Sequence, residues 1–278
     1  MENLFERYLN LIGIKSVPTG VDGLRDVVLK HLCSIPFENI SKLLLFGKEK
    51  VGRPITLSEY LDNIEFQGLG GTCYSNNPYL HQLLSFLGYK TYLLGADMDS
   101  PNVHTCIRAI VNSHQYHIDV GYAAPFREPI RLDNTPREIK HGKYSYQLRK
   151  IDNIGQYGME VFSDGEKVHG YVVNEFPREF AFFSEIIRES FNTGNIFMSC
   201  IRITRFFKDK TVELKNRTLT IYNGEKSCSR ILRSIEEIET AVTNELRMPN
   251  CPVRKGIDIL EQVTQRSFFE DHDYPEEY

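Results

Sequence analysis

Apolar residues recur at helical spacing from the start of the chain to about residue 88, and at strand spacing from there to about residue 190. In the first stretch, Leu24, Val27, Val28 and His31 fall on one face of a helix predicted from Val21 to Leu32. Thr56-Leu57-Ser58-Glu59 offers a capping box ahead of Tyr60 and Leu61. Asn77 reads as an N-cap, with Pro78 in the first helical position. Leu80, Leu83, Leu84 and Leu87 line one face of the helix that follows, and Gly88 ends it.

Strands are predicted at Tyr89 to Leu94, Val103 to Val111, Gln115 to Val120 and His169 to Val173. Pro101-Asn102, Asn112-Ser113, Ala124-Pro125 and Asp164-Gly165 act as breakers. From residue 191 the texture is mixed. Thr211 to Leu214 and Thr218 to Tyr222 predict a hairpin, and Ile235 to Leu246 a helix with Ser234 and Glu237 as its capping box. The chain therefore divides into a helical domain (1–88), a β-rich domain (89–190) and a mixed lid domain (191–278). No internal repeat or low-complexity linker is visible, and the acidic run from Glu270 to Tyr278 reads as a solvated end.

Composition narrows the function classes. The chain has 278 residues, 41% of them hydrophobic and 25% charged, which is enough for a substantial core. Its net charge of −4 argues against nucleic-acid binding, which usually needs a basic excess. No apolar run approaches the ~20 residues that span a bilayer. The opening residues mix charges with apolar positions and lack a secretory core, so a cytoplasmic location with no membrane partner is expected. The six cysteines are scattered without a CxxC pair, which excludes a zinc ribbon or a disulfide framework. Cys33, Cys200, Cys228 and Cys251 read as small buried apolar residues.

Cys73 is different. It follows Gly70-Gly71-Thr72, where two glycines allow a sharp turn and close backbone approach, and it precedes a helix. The free N–H groups at a helix start favour a thiolate. Such a nucleophile needs a base and a group to orient it, and the hairpin over 103–121 supplies both. With Asn112-Ser113 as a two-residue loop, Ile107 faces Ile118, Ala109 faces Tyr116 and Thr105 faces Val120. That apolar face, shared by Val111, is expected to meet the core. The other face carries His104, Cys106, Arg108, His117 and Asp119. Asp119 lies opposite Cys106 and diagonal to His104, ~7–8 Å away at the backbone and within side-chain reach. A Cys73–His104–Asp119 constellation follows, in which the imidazole takes the thiol proton and the carboxylate fixes the ring. The plainer alternative makes His104 a polar strand end and Asp119 a cap for the Gly121 turn. His117 is expected to splay alongside Asp119, Cys106 to be a wall residue and His114 a hairpin-loop residue. His31, His81, His141, His169 and His272 are expected on the surface or in packing.

These residues carry a resemblance. The chain resembles the arylamine N-acetyltransferases along nearly its whole length. Ile35-Pro36-Phe37-Glu38-Asn39, Gly70-Gly71-Thr72-Cys73-Tyr74 with Asn77, Pro101 to His104-Thr105, and Asp119-Val120-Gly121-Tyr122 match the family's motifs in order. The resemblance implies an α+β fold: a helical N-terminal domain, a β-barrel-like middle domain and an α/β C-terminal domain. It implies catalytic Cys73, His104 and Asp119, with Phe37 and Tyr122 against the acceptor. It further implies ping-pong transfer from acetyl-CoA, a co-substrate rather than a tightly bound cofactor, to a small arylamine, hydrazine or arylhydroxylamine, with no metal. Leu69 stands where the family usually has Arg, and Ser75 where it usually has Glu. Ala123-Ala124 stands where glycine is common, and Asn192 to Phe197 replaces a Pro- and Ser-rich stretch. Arg202, Arg205 and Lys208 read as a solvated basic strand, with contact to CoA phosphates as the alternative. Two other classes share the same residues: a thiol hydrolase or amidase, and a non-catalytic binding homologue.

Overall fold

A computed structural model describes residues 3–133, 137–151 and 156–270. The chain opens with helices α1 (Leu4–Leu11) and α2 (Gly20–Ser34), a two-residue strand β1 (Phe37–Glu38), and helices α3 (Ile40–Glu49), α4 (Leu57–Asp62) and α5 (Cys73–Phe86). The apolar face expected of α2 is buried through Leu24, Val27, Val28 and His31. At α4 the capping box closes, with Glu59 N donating to Thr56 Oγ1 at 3.2 Å and Thr56 N to Glu59 Oε2 at 2.6 Å.

Helix α5 begins five residues before the expected start. Its N-cap is Thr72, and Pro78 lies inside the helix, where it removes one intrahelical donor. Asn77 does not cap, because its side chain is engaged in the interior described below. The end of α5 is as expected. Gly88 has φ +84°, Gly88 N donates to Ser85 O and Tyr89 N to Leu84 O, both at 3.0 Å. These are the paired bonds of a left-handed C-terminal cap.

The middle of the chain supplies β2 (Lys90–Asp97), β3 (His104–Val111), β4 (His114–Ile118), β5 (Ile130–Arg131), β6 (Arg137–His141), β7 (Tyr144–Lys150), β8 (Tyr157–Ser163) and β9 (Glu166–Pro177). Among the described residues these form one antiparallel, nearly closed barrel-like sheet in the order β5-β4-β3-β2-β9-β8-β7-β6. Strands β6 to β8 were not expected. Their inward residues, such as Leu148, Met159 and Val161, alternate with charged or polar ones, so the apolar density is low.

The β3–β4 hairpin has the expected register. Ile107 pairs with Ile118 and Ala109 with Tyr116, and the ladder ends there, before Thr105 and Val120. Asn112 (φ +49°) and Ser113 (φ +64°) both take the left-handed conformation that a two-residue loop requires. The apolar face packs against Tyr8, Leu24 and Leu80 of the helices. The opposite face is also buried, which corrects the expectation of one core side: Cys106 joins Leu94, Phe126, Met159 and Val173 inside the barrel. His104, His117 and Asp119 are consequently interior residues. A charge held there must be paired or hydrogen-bonded.

The remaining elements are α6 (Ser184–Glu189), β10 (Arg202–Phe206), β11 (Thr211–Lys215), β12 (Thr218–Asn223), β13 (Lys226–Ile231), α7 (Ile235–Asn244) and α8 (Val253–Thr264). The expected β11–β12 hairpin is present, within a sheet ordered β1-β10-β11-β12-β13. Strand β1 pairs with β10, so the Pro-Phe-Glu-Asn motif ties the helices to this sheet. At α7 the box is offset by one residue. Ser234 Oγ accepts from Glu237 N, while the Glu237 carboxylate takes Arg233 N rather than the cap's own amide. Residues 271–278 of the acidic end, including His272, lie outside the described residues. The molecule is α+β, with a helical N-terminal region, a barrel-like sheet and a mixed α/β region. Among the described residues, no helix is long and apolar enough to cross a membrane, and no group of three or more His, Cys, Asp or Glu side chains is placed to hold a metal ion.

Candidate active site

The turn before α5 explains its two glycines. A Cβ on Gly70 would stand 2.1 Å from Pro36 O, and Gly71 has φ +102°, where an L side chain is strained. Together they deliver Cys73 as the first residue of α5, 6% exposed. Thr105 Oγ1 donates to Cys73 O at 2.8 Å, which fixes the helix start against β3. Gly121 closes the other side: a Cβ there would lie 2.6 Å from Cys73 Cα.

Opposite Cys73, His104 Nε2 lies 2.7 Å from Asp119 Oδ2, with both side chains buried. Asp119 is surrounded by donors. Asn77 Nδ2 and Gly121 N donate to Oδ1 at 2.8 and 2.9 Å, and Tyr171 Oη donates to Oδ2 at 2.8 Å. Burial alone would raise the carboxyl. The charge and hydrogen bond of His104, with the hydrogen bond of Asn77, outweigh it and hold Asp119 below its ordinary range. Burial alone would lower His104, but Asp119, and after it Cys73, hold the ring above its ordinary value. An ionised Asp119 can only accept, so His104 Nε2 is the donor and Nδ1 is left for the thiol.

The structure therefore brings Cys73, His104 and Asp119 together. The plainer reading of Asp119 also holds, since the same carboxylate caps Gly121. Asn77 has a larger part than its sequence position suggested. It donates to Thr105 O and Asp119 Oδ1, and its own Oδ1 accepts Val120 N at 2.9 Å. Replacement of Asn77 by alanine is expected to remove the amide's bonds to Thr105 O and Val120 N and one of the two donors to Asp119 Oδ1, and to cost on the order of 3 kcal/mol of stability. Denaturant unfolding measures this, and a loss well under ~1 kcal/mol would mean that water or rearrangement replaces the amide.

His117 does not simply splay beside Asp119. Its Nε2 lies 2.9 Å from Tyr171 Oη, whose only proton goes to Asp119, so His117 donates. Burial pushes His117 down to about 4, and the ring is neutral at neutral pH. His169, expected to lack a partner, bonds Tyr122 Oη, and His31 bonds Tyr8 Oη at 3.0 Å. Cys106 is fully buried, and burial pushes its thiol up. Of the cysteines expected to be buried, Cys200 is, Cys33 and Cys251 are half-buried, and Cys228 is exposed.

Tyr122 meets the His104 ring edge-on at 5.4 Å between centroids. It also lines a cavity of about 80 Å³ with Tyr144, Tyr146 and Tyr222, across from Arg202. Phe37 is buried and edge-on to Phe197, and it is absent from that wall. The expectation of a solvated basic strand does not hold. Arg202 is paired with Glu213 at 3.0 Å and faces the cavity, and Arg205 stacks on Phe207; only Lys208 is exposed. Ala123 has φ +58°, the conformation that glycine would take without strain. Leu69 is sealed in the core with Ile40 and Leu43, while Ser75 lines a second cavity on the far side of the α5 start.

A family model described as N-acetyltransferase matches residues 20–249. Arylamine N-acetyltransferase 2 of Mus musculus is 21% identical over 268 residues, covering 92% of this chain and 87% of its own. The arylamine N-acetyltransferase structure from Mycobacterium abscessus superposes with a TM-score of 0.77 at 16% identity, covering 94% of this chain and 95% of that one. The Mycobacterium marinum enzyme in complex with CoA also gives 0.77, at 19% identity, covering 93% of this chain and 99% of its own. The family model spans well over half of the sequence, and both architecture and motif order agree with it, so the chain belongs to the arylamine N-acetyltransferase family and is an acyltransferase.

Proposed function

We propose that the protein transfers an acetyl group from acetyl-CoA to an arylamine, hydrazine or arylhydroxylamine through an acetyl-Cys73 intermediate. The observation that carries the reading is the buried 2.7 Å contact between His104 and Asp119, facing a cysteine on the first turn of α5. The nucleophile is the Cys73 thiolate, formed as the thiol gives its proton to His104. The Cys73 thiolate attacks the thioester carbonyl. N–H groups of the first turn of α5, which have no intrahelical acceptor, steady the oxyanion. Collapse of the tetrahedral intermediate expels CoA, whose sulfur takes the His104 proton. The neutral imidazole then removes a proton from the amine as it attacks the acetyl-cysteine, and collapse restores the thiolate–imidazolium pair.

Tyr122, edge-on to the His104 ring, supports an aromatic acceptor beside the reacting groups. Phe37 packs edge-on to Phe197, and neither ring lines the cavity beside Tyr122. CoA is consumed and released as a co-substrate, and no metal takes part. The net charge of −4 supports an enzyme without a nucleic-acid partner.

Intact-mass analysis after incubation with acetyl-CoA alone is expected to find one acetyl group, mapped to Cys73. An arylamine added afterwards should remove it and appear as the acetamide. Continuous CoA release without an acceptor would assign the protein to the thiol hydrolases instead. No adduct and no release would make it a non-catalytic homologue.

A further inference from the structure

The second cavity, about 370 Å³, lies against the residues that flank Cys73 in sequence: Thr72, Tyr74 and Ser75 are in its wall. Its volume falls in the range of small-ligand sites, ~300–1,000 Å³. Its charge is one-sided. Lys42, Lys48, Arg53 and Lys255 line it, and none of its lining residues is an aspartate or glutamate. Arg53 is already neutralised, at 2.7 Å from both Glu49 and Glu59. The three lysines are not: none of them has an ion pair among the described residues.

Lys42 is the informative one. It is only 8% exposed, yet its ammonium has a single hydrogen bond, 2.7 Å to Ser190 Oγ, and lies 4.5 Å from the centre of the Phe191 ring. Ser190 spends its own proton on Ile187 O, so it can only accept. Two of the three Lys42 donors are left without a partner in a site whose wall holds no anion. A buried ammonium in that condition is costly, and burial pushes it down to about 8. Lys48 and Lys255 are exposed and stand at the rim, and the hydroxyls of Thr72 and Ser75 add donors, while Ser41 spends its proton on Glu38. Several lysine point charges plus hydroxyls, with no carboxylate, suit a compact and multiply charged anion.

We infer that this cavity is a binding site for a phosphate-class polyanion, seated on Lys42 and entered past Lys48 and Lys255. The phosphoryl groups have two possible sources, a CoA-type nucleotide or a free polyphosphate. The site is distinct from the tyrosine-lined cavity, with which it shares no lining residue.

Calorimetric titration with pyrophosphate tests the inference. One site per chain is expected, weakened at least about tenfold in the Lys48→Gln/Lys255→Gln double variant, a change of ~1.4 kcal/mol. Both substitutions are on exposed side chains, so the fold should be kept. Lys42→Met should abolish binding, and its unfolding curve shows whether the loss is local. Acetyl loading of Cys73 from p-nitrophenyl acetate, which carries no phosphate, should be unchanged in the double variant. Absence of pyrophosphate binding, or binding indifferent to the double substitution, would overturn the inference. Repeating the titration in saturating CoA separates the sources. Mutual exclusion assigns the cavity to the nucleotide, independent binding assigns it to a free polyphosphate, and either result upholds the site.

Discussion

Replacement of Cys73 by alanine is expected to lower acetyl transfer by about 10⁴-fold or more, in line with the loss of other triad nucleophiles. The position has no substitute. Cys106 is the next thiol toward the site, but it is fully buried and pushed up by desolvation. The loss should come without unfolding, because the first turn of α5 is held by backbone contacts. Thr105 still finds the carbonyl of residue 73, and Thr72 O still accepts the amides of Ser75 and Asn76. The decisive measurement pairs intact mass after acetyl-CoA with thermal unfolding. An acetyl adduct on the folded alanine variant would remove Cys73 from the chemistry.

Asp119→Asn should have the second-largest effect, on rate and on stability together. Four donors converge on this carboxylate, and an amide offers one acceptor oxygen and two opposing N–H groups. The ring of His104 loses the partner that selects its tautomer, for which ~10⁴-fold in kcat is the known scale. Breaking a buried pair of this kind costs on the order of 3–5 kcal/mol. The pH dependence identifies the pair. Asp119 is depressed in the folded state, so its contribution is present above its ordinary 3.8 and is lost as pH falls below that value. His104 is raised, so its contribution is full below its ordinary 6.5 and is lost progressively as pH rises beyond it. The difference in Tm between the wild-type protein and the variant should therefore be greatest between pH 3.8 and 6.5 and shrink on either side. A difference that stays flat from acid to alkaline pH would mean that the ion pair is not its source.

Much of this was legible in the sequence where the signal was local. The β3–β4 register follows from a two-residue loop and an alternating pattern, and that register alone places Asp119 within reach of His104. The end of α5 followed from Gly88. The start of α5 did not, because Asn77-Pro78 fits a helix beginning as well as it fits the interior, and only the chain across from it decides. Tyr171 was invisible for a related reason. It reaches Asp119 because β9 pairs with β2, a contact between residues far apart in sequence. The solvated reading of Arg202 failed because its neutralising Glu213 comes from the next strand of the same sheet. The charges of the second cavity were likewise scattered over α3, the segment before α4, and α8, with no run to mark them.

Cys73 and Asn77 are one helical turn apart on α5, and that spacing sets how the site responds to motion. The sulfur and the amide that grips Asp119 ride on a single rigid rod. If the barrel shifts against the helices, Asn77 drags Asp119 along with the rod, and Asp119 carries His104. The seam between two hydrophobic cores, ordinarily the place where a protein is loosest, is pinned here at its most demanding point. The three reacting groups move as one piece, insulated from breathing elsewhere in the chain.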